Sequence, residues 1–162
     1  MRRRLKGQSL VEMALILPLL LLVLFGIVDL SYYIYGYASI YFAARNGTEV
    51  AAELPPYQAR LNDGTDRCTA AILTATQKGM VLLPNFSTNL VTLSYPTNNR
   101  ALGEPIQVRI KYDIQPLTPL FRLVRFGNNG VMSVDIAARR SIEAMGNGPV
   151  SPQNPDGIVC NP

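Results

Sequence analysis

The chain contains no histidine. That absence excludes Ser-His-Asp and Cys-His nucleophilic catalysis and any His-ligated metal site. The two cysteines, Cys68 and Cys160, are too far apart to form a Cys-x-x-Cys pair, and no Gly-rich phosphate loop follows a strand. Asp113 and Asp135 fall on the polar sides of strand-like segments and Glu143 lies near a strand end, so these carboxylates read as solvated. Nothing in the residues implies an enzyme or a cofactor.

Basic surface is equally scarce. The formal charge is +4, from 15 Lys and Arg against 11 Asp and Glu. Arg2, Arg3, Arg4 and Lys6 account for the excess, leaving 11 basic and 11 acidic residues beyond Gly7. The remainder is neutral, so no nucleic-acid partner is implied.

Charge is absent altogether from Met13 to Val28, and this gap organises the chain. With Leu10 and Val11 it forms an apolar span broken only by Glu12, with Pro18 and Gly26 as its helix-unfriendly residues. Roughly 20 apolar residues cross ~30 Å of hydrocarbon. The span is long enough. A cleaved secretory signal would have a shorter apolar region and a small-residue cleavage site after Val28, where Ser31, Tyr32 and Tyr33 stand instead. The upstream cations hold that flank in the cytoplasm, four charges against Arg45 on the far side, so the rest is expected outside.

The layout of basic leader, Gly7, four residues, Glu12 and apolar helix resembles the substrates of prepilin peptidases. Reading on through Leu17-Pro18, Asp29 and Ala44-Arg45-Asn46-Gly47, the first third of the chain is similar to the TadE-like family. These are minor pilins or pseudopilins of the tight-adherence (Tad) pilus system. Thr48 and Glu49 depart from the small and basic residues more familiar there. The resemblance implies cleavage between Gly7 and Gln8 and an assembly role for Glu12. It also implies partners: membrane lipid, prepilin peptidase, the major pilin, other minor pilins and an inner-membrane assembly platform. The domain layout expected is a cytoplasmic leader over 1–7, a helix over 8–53 embedded to about residue 30, and an outer domain over 54–162. A kink or unwound turn is expected at Pro18.

Beyond the membrane, Tyr32, Tyr33, Tyr35, Tyr37, Tyr41 and Phe42 place rings on two helix faces, 33/37/41/44 and 32/35/39/42. One face is expected to meet the chain's own domain and the other neighbouring subunits. Ala43, Ala44, Ala51 and Ala52 allow close approach, and Pro55-Pro56 stops the helix.

The remainder predicts a small α+β fold: one helix packed on a three-stranded antiparallel sheet. The helix is expected over DRCTAAILTATQKG, capped by Asp63 or Thr65, with Ala71, Ile72, Ala75 and Met80 facing in and Gly79 ending it. Strands are expected at NLVTLSY, at IQVRIKYDI with Val108, Ile110, Tyr112 and Ile114 inward, and at VMSVDIAARRSIEAM. The last should bury Met132, Val134, Ile136, Ala138 and Ile142. From about residue 146 the tail is Gly- and Pro-rich and expected to be poorly ordered. Outside the cytoplasm an even cysteine pair predicts a Cys68–Cys160 disulfide. Asn46-Gly47-Thr48 and Asn85-Phe86-Ser87 match the glycosylation sequon, a pattern common by chance. The chain thus reads as a non-enzymatic pilus subunit of the inner membrane, or alternatively as a single-pass anchor carrying an outer binding or adhesion module.

Overall fold

The computed structural model describes residues 8–80, 83–119, 130–146 and 157–160. Its elements are α1 (Gln8–Glu53), α2 (Arg67–Lys78), β1 (Val91–Ser94), β2 (Pro105–Ile114) and β3 (Met132–Ser141), with 3-10 turns at Gln58–Arg60 and Thr88–Leu90. A long apolar helix, a second helix and a three-stranded antiparallel sheet make the fold α+β. The chain divides into two units, one drawn from Met1–Tyr35 and Gln115–Met132, the other from Gly36–Ile114 and Ser133–Pro162.

In the first unit the helix is continuous through Pro18 and Gly26, so no unwound turn interrupts it. Proline removes a single intrahelical hydrogen bond, and the surrounding turns remain intact.

In the second unit β2 is the central strand, and β1 pairs with it antiparallel, Val91 opposite Ile110 and Leu93 opposite Val108. Alternation along β2 buries Val108, Ile110, Tyr112 and Ile114 and exposes Arg109, Lys111 and Asp113. On the wet face Arg109 grips the Asp135 carboxylate with two hydrogen bonds of 2.7 Å. That guanidinium holds the Asp135 carboxyl below the usual carboxylate range. On β3 only Val134 and Ile136 are buried, with Ile142 just beyond the strand. Met132 is 41% exposed and Ala138 only half-buried, contrary to the alternation. Among the described residues β3 is an edge strand, and its ends have neighbours on one side only.

The Asp66 carboxylate caps α2 by accepting the Thr69 N–H. Asp63 is instead occupied by the Thr65 N–H and hydroxyl in a tight local turn, so neither of the expected caps is used. Inward on α2 are Cys68, Thr69, Ile72 and Thr76, while Ala71 and Ala75 are half-buried. The Thr hydroxyls are no obstacle to burial, since Thr69 donates to the Arg60 carbonyl and Thr76 to that of Ile72.

The part of α1 beyond Gly36 supplies much of this unit's core. Ile40, Ala43, Ala44, Ala51 and Ala52 have no exposed surface. The packing is close: a Cβ at Gly47 would lie 2.5 Å from Thr76 Oγ1 and 3.4 Å from Val108, and one at Gly79 3.2 Å from the Ala43 backbone. Small residues let the backbones approach, which rings at the same positions would prevent. This overturns the expected aromatic faces. Ala44 and Ser39 turn inward, whereas Tyr37, Tyr41 and Phe42 point out, each about half exposed.

After Pro55-Pro56 the end of α1 is tied to the C-terminal part. Gly146 N–H donates to the Glu53 carbonyl, and Cys160 N–H to the Gly146 carbonyl. Cys68 and Cys160 are joined by a disulfide with Cα atoms 5.6 Å apart, packed with Leu54. Gly146 has φ +72°, and a Cβ there would overlap the Cys160 sulfur. Residues 157–160 are thus seated on the domain, while the rest of the expected tail, 147–156 and 161–162, lies outside the described residues.

Candidate functional site

The candidate site is the N-terminal part of α1. Its sequence is Leu-rich and not β-branched at most positions, a composition that loses little side-chain entropy in a helix. From Leu10 to Val28 the large apolar side chains are uncovered; Leu15, for example, is 74% exposed. Burying such side chains against lipid or other helices is worth about 1.5–3 kcal/mol each relative to water. Among the described residues this is the one helix long and apolar enough to cross a membrane.

The sequence-predicted residues fall at its start. Gly7 lies outside the described residues, Gln8 is the first residue of α1, and Glu12 stands exposed one turn later. At 1.5 Å rise per residue, Gln8 and Glu12 are about 6 Å apart along the axis. Cys68 and Cys160 are not part of this surface and belong to the domain core.

Asp29 occupies a position that reading by residue type could not resolve. It follows the apolar run, and residue type alone assigns it no partner. Yet its side chain is fully buried, and the carboxylate accepts the Thr118 N–H at 2.8 Å and the Thr118 hydroxyl. One turn on, the Tyr33 hydroxyl donates to the Gly130 carbonyl. Two polar contacts of α1 therefore hold both ends of the β2–β3 connection within the first unit. A lone carboxylate in an apolar setting costs several kcal/mol unless hydrogen-bonded, and Thr118 supplies two donors. No signal in Leu117-Thr118-Pro119 marks Thr118 as that partner.

Residues 7–49 match the family model described as TadE-like protein. This segment is TadE-like. The match ends inside α1, so it covers the uncovered apolar part and the buried small-residue part up to Glu49. The TadE-like family is pilus-associated and structural; the likeness covers residues 7–49 of 162, and the helix it falls on is long and apolar enough to cross a membrane. No curated protein and no solved structure matches the chain.

Proposed function

We propose that this TadE-like protein is a non-enzymatic minor pilin or pseudopilin of a Tad-type assembly. It enters the inner membrane with its basic leader in the cytoplasm and its α+β domain outside. A prepilin peptidase cuts between Gly7 and Gln8, and the mature chain is incorporated through α1 among the major pilin and other minor pilins. The observation that supports this best is that the family match, residues 7–49, takes in Gly7, Glu12 and the uncovered apolar surface of α1 from Leu10 to Val28.

Cleavage leaves a charged amine on Gln8, one helical turn from Glu12. While α1 lies in the bilayer, the carboxylate remains near the headgroups. Moving α1 into a bundle removes water from it, and an unpaired buried charge costs on the order of 3–5 kcal/mol. The Gln8 amine of an adjacent subunit supplies the counter-charge and sets the axial register between helices. Intact mass and N-terminal sequencing of protein extracted from membranes of the native host test the first step. A mature start at Gln8, with the leader retained in Gly7→Leu, is expected. Finding Met1 or Arg2 on the wild-type protein of a peptidase-competent host would refute processing.

A further inference from the structure

With β2 in the centre, β1 and β3 are the two edges of the sheet. The fold treats them unequally. β1 is four residues long, and the Asn62 carboxamide covers its open side. Leu93 N–H donates to Asn62 Oδ1 at 2.6 Å, and Asn62 Nδ2 donates back to the Leu93 carbonyl at 3.1 Å. The side chain imitates the next strand, held there by a left-handed backbone at φ 64°. β3 runs ten residues, and among the described residues no strand and no such amide covers its outer side. A long uncovered edge is a template for another strand.

A groove of about 450 Å³ lies beside that edge. Tyr41, Arg45 and Glu49 of α1 form one wall, and Ala137, Ala138 and Arg140 of β3 the other. The two alanines leave the floor open. Glu49 is shared between Arg45 at 3.3 Å and Arg140 at 3.5 Å, and Arg140 also meets Glu143 at 3.0 Å. Arg139 donates to the neutral Gln107 side chain at 2.6 Å. Three guanidiniums therefore face two carboxylates, and the groove retains a positive excess.

We propose that β3 accepts an extended acidic segment of another protein as a fourth strand. Its backbone pairs with the open edge, and its inward carboxylate joins Arg45 and Arg140. A second copy of this chain fits poorly. Glu49 meets Arg140, and Ala52 accepts from the Glu143 and Ala144 N–H groups, so α1 and β3 advance in the same direction. Antiparallel β3–β3 pairing would point the two α1 helices oppositely, which anchoring in one bilayer forbids. Parallel pairing of the two outer edges would need a half-turn about the strand axis, which puts the buried face of one sheet on the wet side of the other. The pilus-subunit reading enters only through that bilayer argument.

The test uses the full chain in lipid nanodiscs and a Pro-free peptide alternating Thr or Val with Glu. Its Lys counterpart and a version N-methylated at alternate residues serve as comparisons. Saturable binding about tenfold tighter than that of the Lys peptide is expected, reversed in Arg45→Glu/Arg140→Glu. The peptide should also slow hydrogen exchange of the 133–141 amides about tenfold, and N-methylation should abolish both effects. Binding without protection of β3 would mean ionic adsorption and overturn the proposal. So would equal binding of the Lys peptide, protection at β1 instead, or no saturable binding. The N-methyl comparison requires no variant, so it stands even where the double Arg variant misfolds. None of these outcomes touches cleavage at Gly7, which is read separately.

Discussion

Gly47→Ala is the sharpest perturbation of the contact between α1 and the rest of the domain. Alanine gains about 0.5–1 kcal/mol over glycine inside a helix. Against that, the new Cβ would sit 2.5 Å from Thr76 Oγ1, about 0.9 Å inside ordinary contact. Thr76 has no exposed surface, and its hydroxyl already donates to the Ile72 carbonyl. Turning it away sacrifices that bond, and shifting α2 disturbs Gly79 against Ala43. Overpacking of this kind costs about 1–3 kcal/mol, and a contact this short with a buried, hydrogen-bonded Thr76 belongs toward the upper end, so a net loss of about 1–2.5 kcal/mol is expected. The identical substitution at Gly36 meets mainly the terminal Cδ1 of Ile114, a flexible tip, and should cost less. At Gly26 nothing lies within 4 Å, and no loss is expected. Thermal unfolding of the full chain in detergent micelles reads the order, each kcal/mol corresponding to roughly 4–8 °C for a domain of this size. Thr76→Ala removes the obstructing oxygen, so Gly47→Ala in that background should become neutral or stabilising. Gly47→Ala as stable as wild type with Thr76 present would refute the close approach.

Other expectations are simpler. Replacing both Cys68 and Cys160 with Ser opens a loop of 92 residues and should cost about 2–4 kcal/mol, read by denaturation of the oxidised protein against the variant. A non-reducing peptide map with both thiols alkylated would show that the bond does not form. Tyr95 is buried, which pushes its phenol up to about 12 while the nearby Arg100 opposes the shift. Because the folded state holds the proton more tightly, this contribution is complete below about pH 10 and is lost as pH rises from there to about 12. Tyr95→Phe should flatten that alkaline fall in stability. Glu12→Ala should leave membrane insertion and cleavage intact but reduce pilus output and co-purification with the major pilin. Wild-type values in both would make Glu12 an interfacial residue and favour an anchored binding module.

Several features are local enough to be read directly from the residues. Uninterrupted apolar length requires a membrane or a bundle whatever the tertiary fold, since the free energy of burial adds residue by residue. Pro55-Pro56 ends a helix in any context, and period-two alternation over Val108–Ile114 assigns the faces of β2. What packing partner each face meets is a different kind of question. Ring-bearing positions on α1 are the more hydrophobic, but the domain packs on Gly47 and Ala43 because only small residues let backbones approach to contact. Asp66 rather than Asp63 caps α2, because the turn at Asp63–Thr65 consumes the nearer carboxylate. Asp29 finds Thr118 across 89 residues and Asn62 finds Leu93 across 31, pairings that no local pattern encodes. Hydropathy and chain stiffness act locally and so are written in the sequence. Shape complementarity and hydrogen-bond satisfaction depend on which segments the fold brings together, and only the tertiary structure decided them.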